Sequence, residues 1–143
     1  MAGQASMAAK AEAAVRDART RGVVLDYSAG SAAAVEELIS DLEIVARTTL
    51  DLDRGAWVGE HIGPLLDVAA LGAYYGALFV RHAGATWGEA DGEDGPEPAV
   101  IRGRVTVLPL TVVRRRVYDG PPLNLASYFR EVQAAMLAEA GAT

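Results

Sequence analysis

Residues 65–80 read LLDVAALGAYYGALFV, the longest strongly apolar run in the chain, and continue into Arg81-His82-Ala83-Gly84-Ala85-Thr86-Trp87. Ala69, Gly72, Ala73, Gly76 and Ala77 recur every three to four positions, the period of an α-helix, so one face is nearly flat. A flat face lets a second backbone come close, while Leu66, Tyr74, Tyr75, Leu78 and Phe79 supply bulk elsewhere. Glycine inside a helix costs about 1 kcal/mol against alanine, so two of them point to a packing reason. The spacing predicts a central helix over residues 64–83, opened by Gly63-Pro64 and ended near Gly84. At 16 residues with Asp67 inside it, the run is shorter than the roughly 20 apolar residues a bilayer span needs. No membrane is expected as a partner.

The chain around that run has 143 residues, room for one domain with a sizeable core. Hydrophobic residues make up 51% and charged residues 22%, the balance of a globular chain. A net charge of −6 argues against nucleic acid as a partner, since that role needs a positive surface to displace phosphate counterions. Without cysteine, disulfides, thiolate nucleophiles and cysteine-held metal centres are excluded. All basic residues but Lys10 are arginine, and with the abundant Ala and Gly this resembles GC-rich bacterial coding. The N-terminal stretch has neither the basic start nor the leucine-rich segment of a secretory signal, so a cytoplasmic protein is expected.

Upstream of the central run, residues 2–20 are Ala-rich helix formers with Met7 and Val15 as their only large apolar side chains. Residues 1–21 are therefore expected to form a loosely docked helix, or an arm laid on a second subunit, ahead of a single α+β domain over 22–143. Gly22 breaks that helix, and Val23-Val24-Leu25-Asp26-Tyr27 is β-prone. Ser28 is placed as the N-cap of a helix over 29–50. Val35, Leu38, Ile39, Leu42, Val45, Ala46 and Thr49 fall on one face of it, and Glu36, Glu37, Ser40, Asp41, Glu43 and Arg47 on the other. Asp51-Leu52-Asp53-Arg54-Gly55 reads as a loop, and 57–62 leaves a short helical turn open.

Downstream, Thr86-Trp87-Gly88 reads as a strand entering the acidic tract 89–97, EADGEDGPE, which is expected to be a solvated turn or flexible loop. Residues 98–101 and 104–108 read as two strands of a small antiparallel sheet around Gly103. Pro109 and Gly120 bracket a short helix over 110–119, and Asn124 caps a last helix carrying Leu125, Tyr128, Phe129, Val132 and Met136. The fold class is thus α+β, about four helices around the central helix 64–83, packed on a small antiparallel sheet.

Few residues suggest chemistry. His61 and His82 lie near opposite ends of the central helix, too far apart to share an ion, and Glu60-His61 does not open an HExxH motif. Ser28, Ser31, Ser40 and Ser127 lack the Gly-x-Ser-x-Gly elbow of a hydrolase. The turn Asp26-Tyr27-Ser28-Ala29-Gly30-Ser31 lacks the lysine of a phosphate loop, and Asp26 would repel an anion. Asp91, Glu93 and Asp94 do not have EF-hand spacing. No catalytic residue, metal or cofactor is expected. The arginine track is the feature with functional weight: Arg102 and Arg104 flank Gly103, and Arg114, Arg115 and Arg116 follow. Such a track either pairs with the acids at 36–43 and 89–97 or grips an acidic partner. Trp57 adds a candidate aromatic anchor, and Trp87 is expected to seal the end of the central helix against the sheet.

Three blocks, Leu25-Asp26-Tyr27-Ser28 with Ser31, Leu71-Gly72-Ala73-Tyr74-Tyr75-Gly76, and Gly84 with Trp87, resemble a family of small actinobacterial domains of unknown function. The likeness spans about residues 23–130. It implies an α+β fold with helices against a small sheet, and brings no assigned activity. Members of that family usually carry Glu where this chain has Ala77.

The expectation from sequence is a non-enzymatic protein-interaction or accessory domain of a bacterial cytoplasmic system. Its contacts would be Arg102, Arg104, Arg114, Arg115, Arg116 and Trp57, and its partner an acidic protein or a second copy of itself. Two alternatives stand beside it. One is an enzyme or small-ligand binder with a pocket lined by Tyr27, Tyr74, Tyr75, Arg and Asp. The other is a structural homo-oligomer using the flat Gly72/Gly76 face or the N-terminal arm.

Overall fold

The computed structural model describes residues 2–50 and 58–141, so the expected loop at 51–55 and Trp57 lie outside the described residues. Six α-helices and a three-stranded antiparallel sheet appear in the order α1 (Ala2–Thr20), α2 (Ser31–Leu50), α3 (Gly59–Ile62), α4 (Val68–Ala83), β1 (Thr86–Gly92), β2 (Gly95–Arg102), β3 (Val105–Val107), α5 (Pro109–Asp119) and α6 (Leu125–Gly141). The fold is α+β. No single described helix is long and apolar enough to cross a membrane.

Helix α4 is the centre. Leu71, Tyr74, Tyr75, Leu78, Phe79 and Ala83 along it are buried, and α1, α2, α5, α6 and β2 all pack on it. It begins at Val68, four residues later than the sequence predicts. Asp67 is its N-cap, accepting from the Ala70 N–H at 3.0 Å, and Leu66 is extended at φ −118° and ψ 141°. Pro64 instead opens a 3-10 turn, Gly63–Leu65, and the chain bends by 82° between Gly59–Leu65 and Val68–Ala83. An aspartate in a helix end satisfies an amide that would otherwise lack a partner. At the other end Gly84 takes the left-handed conformation at φ 72°, and the Arg102 guanidinium donates to its carbonyl at 2.9 Å.

The flat face of α4 is used inside the subunit. A Cβ on Gly72 would lie 2.7 Å from the Leu110 Cα, and one on Gly76 would overlap the Trp87 ring. The N-terminus of α5 and Trp87 therefore fill the face that a second copy would need. Helix α1 is not a loose arm either. Its Met7, Ala11, Ala14 and Ala18 are buried in an extensive contact with α4, because a stripe of methyl groups lets two helix axes approach closely.

The acidic tract is a hairpin, not a flexible loop. Glu89 pairs with Pro98, Ala90 with Glu97, and Gly92 with Gly95 across the turn Glu93-Asp94. Glu89 and Asp91 point to solvent while Ala90 and Gly92 are half-buried, the alternation of a half-exposed strand. Residues 23–27, read as β-prone, find no strand to pair with and form an irregular connection.

A buried guanidinium ties α5 to α2. Arg116 is 1% exposed; it donates to both Glu43 carboxylate oxygens at 2.9 Å and, through Nε, to Glu36 at 2.8 and 3.0 Å. A further contact reaches the Ser40 hydroxyl at 3.2 Å, and Glu36 also accepts from the Leu125 N–H at the start of α6. Burial alone would lower the guanidinium's pKa, but its hydrogen bonds to Glu43 and Glu36, and their charges, raise it above its ordinary value. The network corrects the expected faces of α2: Glu43 is buried, whereas Ile44 and Val45 are exposed.

Two outcomes test this packing. Gly72→Ala gains helix propensity of about 1 kcal/mol, yet the new methyl meets backbone rather than a flexible side chain. Urea denaturation should show a net loss of about 1–3 kcal/mol. Arg116→Met strands Glu36 and Glu43 without their cation and should cost about 3–5 kcal/mol. Adding Glu36→Gln and Glu43→Leu should restore much of that loss, measured as the thermal midpoint.

Candidate functional site

The connection between α1 and α2 holds the one described non-glycine residue with positive φ, Tyr27 at φ 62°. A left-handed conformation costs a side-chain-bearing residue about 1–2 kcal/mol, and here α4 fixes it from both sides. The Tyr27 N–H donates to the Tyr74 hydroxyl at 2.8 Å, and its carbonyl lies 2.7 Å from His82 Nε2. A carbonyl can only accept, so Nε2 of His82 is the donor in this bond. Neither His61 nor His82 belongs to a cluster of three or more metal-ligating side chains among the described residues.

Hydroxyl directions follow from the same logic. Ser31 donates to the Ser28 carbonyl at 2.6 Å, so the 2.7 Å contact between Ser31 and Tyr74 is a bond donated by Tyr74. Ser28 is therefore not the helix cap that the sequence suggests. Asp26 takes the Ser28 N–H at 3.0 Å, the turn closes on itself, and α2 starts at Ser31.

The Tyr27 ring is gripped on its faces and at its tip. The Arg81 guanidinium carbon sits 3.9 Å from its centroid, a cation–π contact, and Tyr74 lies at 4.8 Å in a tilted arrangement. Its hydroxyl donates to Glu12 of α1 at 2.8 Å. Burial first, then the bond to Glu12 and that carboxylate's charge, push the Tyr27 phenol up to about 12.

Beside this ring runs an open groove of about 250 Å³ between α1, α4 and β1. Met7, Ala8 and Ala11 form one wall, Ala77 and Val80 the other, and Trp87 closes an end. Tyr27, Arg81 and Glu12 supply the polar end. Trp87 thus packs on Gly76 in the middle of α4 rather than sealing its terminus. Tyr27 and Tyr74 are the two members of the expected Tyr-lined pocket that come together. Tyr75 points away, donating to the Leu125 carbonyl at 2.7 Å in the aromatic core with Phe79 and Phe129.

The arginine track is not one surface. Arg102 and Arg104 lie at the β2–β3 turn, where Arg102 closes the end of α4 and Glu139 of α6 accepts from the Arg104 amide at 2.9 Å. Arg114 and Arg115 are exposed near the hairpin turn at the other end of β2, with Arg115 bonded to Glu93 at 3.0 Å. The eight residues of β2, seven steps of about 3.3 Å or about 23 Å, separate the two ends. Arg116 is buried, with its donors turned to Glu36, Ser40 and Glu43 inside the protein. Arg114, Arg115, Glu93, Tyr118 and Asp119 line a separate depression of about 220 Å³. Sequence reasoning offers Tyr27, with Arg and Asp, for a pocket but misses Met7, Glu12, Ala77 and Trp87 as its walls, because these come from α1, α4 and β1 and no local signal joins them.

Ionisation of Tyr27 reports on this arrangement. Its pKa is about 12 folded against an ordinary 10, so the neutral phenol is favoured by folding. The stability it contributes is complete below pH 10 and is lost as pH rises through the 10–12 window. The difference in phenolate absorbance between wild type and Tyr27→Phe should show its transition near pH 12, and the wild-type thermal midpoint should fall more steeply across that window.

No family model matches this chain, and no curated protein or solved structure is significantly similar to it.

Proposed function

We propose that the chain is a non-enzymatic protein-interaction domain, an accessory component of a bacterial cytoplasmic system, and that it engages its partner at the Tyr27 groove. The observation that carries this reading is the groove's composition on a fixed frame: Trp87, Tyr27, Arg81 and Met7 stand together around an open depression. Trp, Tyr and Arg are the residues in which binding energy concentrates at protein interfaces, and Met is enriched there. Tyr27 is held from both sides of its backbone, so little ordering entropy remains to be lost on binding.

Size favours a protein partner over a free small molecule. A volume of about 250 Å³ lies below the 300–1,000 Å³ typical of small-molecule pockets, and suits one large side chain projecting from another chain. The three blocks that carry the family resemblance meet here as well, through Tyr27, Tyr74 and Trp87. That meeting supports reading them as one unit, with Ala77 in the groove wall where family members usually carry Glu.

A comparison of bacterial lysate proteins retained by wild type, by Ala8→Trp, which fills the groove from an exposed position on α1, and by Arg114→Ala/Arg115→Ala tests the proposal. A partner retained by wild type and by the double arginine variant, but lost with Ala8→Trp of unchanged thermal midpoint, is the expected result. Loss with the arginine variant alone would move the contact to the face of α5, and the groove reading would fall.

A further inference from the structure

We infer that the groove receives the last residue of a partner chain, an apolar residue whose C-terminal carboxylate meets Arg81. The inference rests on the docking role proposed above. Arg81 is exposed, its guanidinium carbon lies 3.9 Å from the Tyr27 ring centroid, and no described carboxylate is within ion-pair distance of it. A guanidinium fork matches a carboxylate in two parallel hydrogen bonds. Ala77 precedes Arg81 by one helical turn, so the apolar wall and the cation share one face of α4.

The occupant must therefore present an anion and an apolar side chain side by side. Within an extended segment, adjacent side chains project to opposite sides, so an internal acid next to an apolar residue points one of the two away. A C-terminal residue carries both groups on one Cα. Glu12, across the Tyr27 hydroxyl, retains acceptor capacity for the backbone N–H of that same residue. Its charge also opposes a second anionic group, which disfavours a phosphate. The groove as a whole, about 250 Å³ with Met7, Val80 and Trp87 in its apolar walls, has room for one C-terminal residue with a side chain of phenylalanine size.

The test is an NMR titration of the labelled full chain with three probes: N-acetyl-Ala-Ala-Phe with a free carboxylate, the same peptide as its C-terminal amide, and free phenylalanine. The acid should perturb the amides of Tyr27, Ala77, Arg81 and Trp87 and bind at least about tenfold more tightly than the amide, as loss of a charge-assisted bond requires. Ala77→Glu places a carboxylate one turn before Arg81, where it competes for the guanidinium, and should weaken the acid by a similar factor. Ala77→Gln, equal in size and uncharged, should retain most of the binding. Equal affinity for acid and amide, or no binding of either, overturns the inference. So does tighter binding of free phenylalanine, which would assign the groove to an amino acid. If the peptides fail while Ala8→Trp still loses its lysate partner, the carboxylate inference falls alone and the docking role stands.

Discussion

Helix α4 has to be covered on all but the side that faces the groove, and the rest of the chain is arranged to do that. Its Tyr74, Tyr75, Leu78 and Phe79 are buried completely. In a chain of 143 residues few elements are left over for a second layer, so each neighbour must come close. Alanines of α1, Gly72 under Leu110 and Gly76 under Trp87 are three forms of the same solution: removing side-chain volume where two surfaces meet. The cost in helix propensity is local, whereas the close approach lets the bulky residues of α4 reach α6 and the sheet.

The buried Arg116 solves a different problem. Helix α5 is short and packs mainly on α4, and a single guanidinium with five donors joins it to the polar side chains of α2. Glu36, Ser40 and Glu43 follow one another at four and three residues, a stripe along α2 facing α5. Glu36 extends the network to the first amide of α6, so three helices are registered against one another by directional bonds. Apolar packing tolerates sliding; a fork of hydrogen bonds does not.

Much of this frame was legible. The apolar run with its small-residue stripe identified α4, Pro109 and Gly120 bracketed α5, and Asn124 caps α6 by accepting from the Ser127 N–H at 3.0 Å. What failed depended on pairing that composition does not show, close in sequence for the hairpin and distant for Arg116 and Tyr27. The acids at 89–97 alternate in exposure as a strand does, but their charge suggested a loop until a pairing partner was found in 95–101. Arg116 resembles its neighbours Arg114 and Arg115 in sequence, and only the helix phase and a carboxylate pair 73 and 80 residues away draw it inside. The Tyr27 site is the extreme case, since its neighbours come from α1, α4 and β1 and no local pattern joins them.

Those separate origins also explain how the groove is kept in shape. One of its walls belongs to α1, whose contact with α4 is made largely by methyl groups and so buries little apolar area per residue. Shape match alone would hold that wall weakly. The bond from the Tyr27 hydroxyl to Glu12 adds a directional tie from the α1–α2 connection back onto α1, while Tyr74 and His82 hold Tyr27 to α4. Arg21 adds a second tie lower down, donating to the Leu65 carbonyl at 2.7 Å. The strained tyrosine is thus the point at which α1 and α4 are clamped, and the groove is the space left beside the clamp. A residue held there for structural reasons is, by the same bonds, already fixed in the position that recognition requires.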